Sequence, residues 1–111
     1  MELLIIILNQ TQYLDKILSI LVEAGVSGAT ISESEGIGHY LAYEVPIFAG
    51  LRKFIGEAKS NNKTIMAVLE EKGISDQVVR LFEEEGIDFS QPGLGVIITV
   101  PANKVIKNPR G

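Results

Sequence analysis

Residues 3–26, LLIIILNQTQYLDKILSILVEAGV, lie over residues 64–87, TIMAVLEEKGISDQVVRLFEEEGI, without a gap. Leu8 falls on Leu69, Asp15 on Asp76, Glu23 on Glu84 and Gly25 on Gly86. These identities are few, and the shared pattern carries the reading. Each stretch opens with an apolar run of strand length, crosses a short polar turn and continues with apolar residues at helical spacing. In the first stretch these are Leu14, Ile17, Leu18, Leu21 and Val22; in the second, Val78, Val79 and Phe82. Gly25 and Gly86 follow the last helical turn, where a residue without a Cβ takes up left-handed backbone at little cost. Strands are predicted after each helix, over Ser27–Glu35 and Val96–Val100. The chain therefore reads as β-α-β twice over. This is an α+β ferredoxin-like split βαβ (βαββαβ) sandwich, with a four-stranded antiparallel sheet and two helices on one face.

A chain of 111 residues accommodates one domain, taken here as 1–111. Its 46% hydrophobic and 22% charged content lies well inside the globular range and away from disordered compositions. The absence of cysteine rules out disulfides, thiol nucleophiles and cysteine metal sites, and fits a reducing, cytoplasmic setting. The run Leu3–Leu8 is too short for a signal peptide or a membrane span, so no direct membrane insertion is expected. A net charge of -4 does not provide the clustered basic surface that captures nucleic acid.

With both helices on one face, the other face of the sheet meets water in a monomer, and its strands should alternate apolar with polar. Leu3–Leu8 and Ile65–Leu69 are instead apolar at both parities, as is most of Gly95–Val100. A second apolar face on so small a domain calls for a cover. Either copies of the chain close over it, or the long segment between the two halves folds across it. The first reading predicts an oligomer.

That segment, residues 36–63, is much longer than an ordinary connection. Just after Pro46, the residues Ile47, Phe48, Leu51, Phe54, Ile55 and Ala58 form a helical apolar stripe, with Arg52, Lys53, Glu57 and Lys59 mostly opposite. A short amphipathic helix is expected there, docked on its own protein or on a partner. Two glycine pairs flank the strands, Gly36-Ile37-Gly38 after the second and Gly93-Leu94-Gly95 before the fourth. Glycine lets backbone approach a phosphate and aim N–H groups at it, and it also simply makes turns. Lys104, Lys107 and Arg110 form a basic cluster near the carboxyl end.

Taken together, the stretches Gly25-Val26-Ser27-Gly28-Ala29-Thr30, Glu35-Gly36-Ile37-Gly38, Pro92-Gly93-Leu94-Gly95-Val96-Ile97-Ile98 and Lys104-Val105-Ile106-Lys107 resemble the PII signalling proteins, the family of nitrogen regulatory P-II proteins. The resemblance spans nearly the whole chain and marks it as a divergent, PII-like member. It implies a non-catalytic homotrimer that binds an adenine nucleotide (ADP, AMP or ATP) in clefts between subunits. A long loop would then regulate a protein partner, such as a membrane transporter or an enzyme. It also places Thr30 near the adenine. Gly36, Ile37 and Gly38 fall beside the phosphates, with Gly93, Leu94 and Gly95 in the phosphate-cradling turn. Lys107, with Lys104 close by, stands where an arginine binds phosphate. On the loop, Tyr40, Tyr43, Phe48, Leu51, Arg52, Phe54 and Ile55 become the partner-facing residues.

The departures are informative. A family lysine position holds Val96, a second arginine position falls on Pro109 or Arg110, and the loop glutamine position holds Tyr40. Losing a point charge and a guanidinium fork weakens triphosphate binding specifically, which favours a smaller or less charged ligand. Tyr40 and Tyr43 lie at the start of the loop, so uridylylation of a central loop tyrosine is not expected.

Other occupants of this fold fit less well. An acylphosphatase needs an arginine anion cradle after the first strand, where Asn9-Gln10-Thr11-Gln12 stands. An RNA-recognition domain stacks bases on aromatics of its central strands, and these have none. His39 with Glu35 and Glu44 offers too few ligands for a metal. The runs Glu70–Glu71 and Glu83–Glu85 read as solvated helix ends rather than paired catalytic carboxylates. The remaining alternative to a nucleotide sensor is a structural, scaffolding trimer without nucleotide binding.

Overall fold

The computed structural model of the chain describes residues 1–26, 28–55 and 62–108, and the side chains of all of these except Phe54 and Ile55. Strand β1 (Glu2–Leu8) leads through a 3₁₀ turn at Thr11–Tyr13 into helix α1 (Leu14–Glu23) and strand β2 (Ala29–Ser34). Helix α2 (Ile37–Glu44), a 3₁₀ segment (Pro46–Leu51) and a short α3 (Arg52–Ile55) follow. Strand β3 (Asn62–Leu69), helix α4 (Ile74–Glu84) and strand β4 (Gly95–Pro101) complete the second unit. The four strands form one antiparallel sheet in the order β2-β3-β1-β4, the predicted split βαβ arrangement.

Register sorts the side chains onto two faces, since directly paired residues share a face. Leu4 and Ile6 of β1 pair with Ala67 and Ile65 of β3 on the helix side, where they are buried together with Leu8 and Leu69. Ile17, Ile20 and Leu21 of α1 and Val78 and Phe82 of α4 close over them, and Phe82 meets Phe89 with ring centroids 5.9 Å apart. The two helices end alike. In α1 the Val26 N–H bonds to Leu21 O (2.8 Å) and the Gly25 N–H to Val22 O (3.0 Å). In α4 Ile87 bonds to Phe82 O (2.8 Å) and Gly86 to Glu83 O (3.0 Å). Gly25 and Gly86 take φ of 90° and 81°, and the residue after each turns inward and is buried. This is the six-to-one, five-to-two closure of a Schellman motif, and it explains why both halves carry glycine followed by an apolar residue.

The opposite face is bare. Leu3 sits between Val68 and Val100, Ile5 between Met66 and Ile98, and Ile7 between Thr64 and Val96. Met66, Ile98, Val100 and Val96 remain 40–43% exposed. This face is polar toward the β2 edge, with Thr30, Ser32 and Ser34 of β2 and Thr64 of β3, and Ser34 shares a 2.7 Å hydrogen bond with Thr64. Among the described residues the middle segment does not cover this face.

The middle segment departs from the expected helix after Pro46. Its main helix stands earlier, over Ile37–Glu44, and breaks at Val45, which is extended (φ -117°, ψ 109°) because proline disfavours helical backbone in the residue before it. Ile47, Phe48 and Leu51 fall in the 3₁₀ segment, Phe54 and Ile55 in the backbone of α3, and Ala58 outside the described residues. The Gly36-Ile37-Gly38 stretch is not a glycine turn. Gly36 is the extended N-cap of α2, and neither glycine has positive φ. Edge strands β2 and β4 are observed over Ala29–Ser34 and Gly95–Pro101, against the expected Ser27–Glu35 and Val96–Val100, with Ser27 outside the described residues.

Gly95 has a packing reason of its own. Its φ is 143°, and a Cβ there would lie 2.1 Å from the carbonyl oxygen of Ile7. Gly95→Ala is therefore expected to destabilise the fold by about 3 kcal/mol or more, read as a fall in denaturant midpoint. Gly28→Ala, with open space around the new methyl, should leave the midpoint within about 0.5 kcal/mol of wild type.

Candidate functional site

Antiparallel pairing brings both predicted glycine stretches to one end of the sheet. Ser34 pairs with Asn62, and Leu8 pairs with both Lys63 and Gly95. Gly36, which follows β2, and Gly95 of β4 nevertheless stand at opposite edges of the sheet, whose edge strands are separated by β3 and β1, a lateral distance of about 14 Å. Side-chain amides stand by each. Asn62 Nδ2 lies 3.8 Å from the Cβ position of Gly36, and Gln10 Nε2 lies 3.7 Å from that of Gly93. Gln10 Oε1 accepts a hydrogen bond from Gln12 Nε2 at 3.3 Å.

The loop that delivers Gly93 is held by short-range bonds. Asp88 Oδ1 accepts from the Ser90 N–H (2.9 Å) and from Ser90 Oγ (2.6 Å), and the Gln91 N–H bonds to Asp88 O (3.0 Å). The Asn9 N–H then bonds to Leu94 O at 2.9 Å, tying the loop to the end of β1. The Leu94 side chain is in the core, so any ligand contact from this residue is left to its backbone. Val96, where the resemblance expects lysine, lies half-exposed beside Ile7 on the bare face.

The predicted basic residues lie at the other end. Pro101 pairs with Glu2 while Gly95 pairs with Leu8, so the strand carries the chain about 20 Å away before Lys104 and Lys107 begin. Lys107 Nζ reaches Glu70 Oε1 at 3.3 Å. There it lines a cavity of about 240 Å³ with Gly25, Gly28, Val68, Glu70 and Glu71. Thr30 stands on the bare face of β2 opposite Met66. A single chain thus does not gather the predicted ligand residues. The glycine turns occupy one end, Lys107 and its cavity the other, and Arg110 lies outside the described residues. Glu70, Glu71 and Val68 were not picked out from sequence as cavity lining. Their only signal was position, at the point where β3 passes into the α4 turn.

The middle segment is held by a column of side chains. Glu35 Oε2 lies 2.6 Å from His39 Nδ1, the His39 ring stacks on Tyr43 with centroids 4.7 Å apart, and the Arg52 guanidinium sits 4.7 Å above the Tyr43 ring. Arg52 Nε also donates to the carbonyl of the buried Ala42 at 2.9 Å. Of the loop residues expected to meet a partner, Tyr43 and Arg52 are engaged in this column, whereas Tyr40 and Phe48 are exposed, as are Ile37 and Ile47 beside them. Among the described residues no group of three or more metal-ligating side chains converges, and no helix is long and apolar enough to cross a membrane.

No family model matches the chain, and no curated protein matches it. Among solved structures it is similar to CPII of Thiomonas intermedia K12, a structure bound to ADP, AMP and acetate. The likeness covers 88% of this chain and 81% of that one, with a TM-score of 0.57 and 20% sequence identity. At that identity the likeness shows the fold alone.

Two outcomes test the local geometry. The Ser90 bonds, side chain before backbone, hold the Asp88 carboxyl below its ordinary pKa. A lowered folded value means that this contact's stabilisation is complete above the unfolded pKa and is lost as pH falls through the folded one. Ser90→Ala should raise the Asp88 pKa toward its ordinary value, measured by NMR titration of the carboxyl carbon. Arg52→Ala should speed protease cleavage within residues 36–55 several-fold while shifting global unfolding by less than about 0.5 kcal/mol.

Proposed function

We propose that this protein is a non-catalytic, PII-like signalling protein. It acts as a homotrimer, binds an adenine nucleotide in clefts between subunits, and regulates a protein partner, a membrane transporter or an enzyme, through residues 36–55. The observation that carries the reading is the division of the predicted ligand residues between the two ends of a sheet whose second face is apolar and bare. Packing copies on that face removes the apolar surface from water. It would also set the Lys107 end of one subunit against the glycine end of the next. Adenine nucleotide as effector is supported by the fold shared with CPII, solved with ADP and AMP. The exposed residues Ile37, Tyr40, Ile47 and Phe48 on the middle segment suit a protein contact.

One observation favours the scaffolding alternative, a trimer with no nucleotide. Gly95 is required by the Ile7 carbonyl whether or not a phosphate is ever bound, and Val96 adds no charge beside it.

Thermal unfolding with AMP, ADP, ATP, cyclic nucleotides and bicarbonate, alongside sedimentation analysis, separates these readings. The expected mass is three times the 12.1 kDa chain. One adenine nucleotide at about a hundred times its dissociation constant should add roughly 2.7 kcal/mol, a rise of several degrees. Lys107→Ala should abolish that rise. Ile98→Asp on the bare face should yield smaller species. A trimer that no ligand stabilises supports the scaffold, and a stable wild-type monomer refutes both.

A further inference from the structure

The cavity at the Lys107 end carries an unexpected charge balance for an anion site. One ammonium, Lys107, faces two carboxylates, Glu70 and Glu71. Among the described residues neither Lys72 nor Lys104 lines the cavity, and Arg110 lies outside them. Elsewhere Lys16 is paired with Glu85 and Lys63 with Glu33. Lys107 already holds Glu70 at 3.3 Å, with the two side chains 39% and 59% exposed. So exposed a pair is screened by water and weakly held, and an incoming anion can displace it. The displacing anion gains Lys107 only by releasing Glu70, and it does so beside Glu71. Repulsion from two carboxylates grows with every further negative charge the ligand carries, whereas among the described lining residues the attraction comes from one ammonium.

Resting on the nucleotide-binding reading above, we propose that Glu70 is a specificity-determining residue. As the intramolecular competitor for Lys107, it selects a ligand with one phosphate, a nucleoside monophosphate, against di- and triphosphates. Glu70 acts through Lys107 and through the local field, not by touching the base. Its position just past the end of β3, with the carboxylate in solvent, lets glutamine replace it without disturbing the core.

The test is isothermal titration of the full chain with AMP, ADP and ATP at fixed ionic strength, on wild type, Glu70→Gln and Lys107→Gln, and on the double variant. Glu83→Gln serves as a remote acidic control. Wild type should bind AMP more tightly than ATP. Glu70→Gln should tighten ATP about fivefold and AMP less than about twofold, within the range of exposed ion pairs. The gain should vanish in the Lys107→Gln background and be absent in Glu83→Gln. Equal gains for all three nucleotides, no gain, or a gain that persists without Lys107 would overturn the role of Glu70 while leaving nucleotide binding intact. Absence of any nucleotide binding in both wild type and Glu70→Gln would overturn the nucleotide reading itself, and this inference with it.

Discussion

Two helices can cover only one face of a four-stranded sheet, and β1 is apolar on both faces. Leu4, Ile6 and Leu8 face α1 and α4 and are buried, while Leu3, Ile5 and Ile7 face the other way among Val68, Met66, Val100, Ile98 and Val96. Period-two geometry makes this unavoidable, because a strand with no polar alternate has no side to give to water. The asymmetry shapes the rest of the molecule. The bare face is polar toward the β2 edge, at Thr30, Ser32, Ser34 and the neighbouring Thr64 of β3, and apolar from there to β4.

The same constraint bears on the candidate site. Strands about 20 Å long hold the glycine turns apart from the lysines, and the described part of the middle segment, residues 36–55, folds on its own column of Glu35, His39, Tyr43 and Arg52. At the lysine end, Lys107 has acidic neighbours, Glu70 at 3.3 Å and Glu71 across the same cavity.

Glycine carries four different jobs here, and they are separable only by backbone geometry. Gly25 and Gly86 end helices at positive φ, Gly36 caps a helix with ordinary extended backbone, Gly93 turns a loop at φ 83°, and Gly95 makes room for a neighbouring carbonyl. The paired spacing Gly-x-Gly is identical in residues 36–38 and 93–95, yet the first opens a helix and the second joins a loop to a strand.

The sequence by itself determined the two β-α-β units, the helix ends and the two-faced apolar strands. These rest on interactions between residues close in the chain, or on periodicities of two and 3.6 that a single segment displays. It did not determine the helix over Ile37–Glu44, because glycines at its start and the stronger apolar stripe beyond Pro46 pointed elsewhere. The candidate site was legible as residue types but not as a place. Only the antiparallel register decided that Gly95 meets the Ile7 carbonyl, that Lys107 reaches Glu70, and that the glycine turns and lysines stand at opposite ends. Those are contacts between residues dozens of positions apart, and they exist only once the sheet has chosen its strand order.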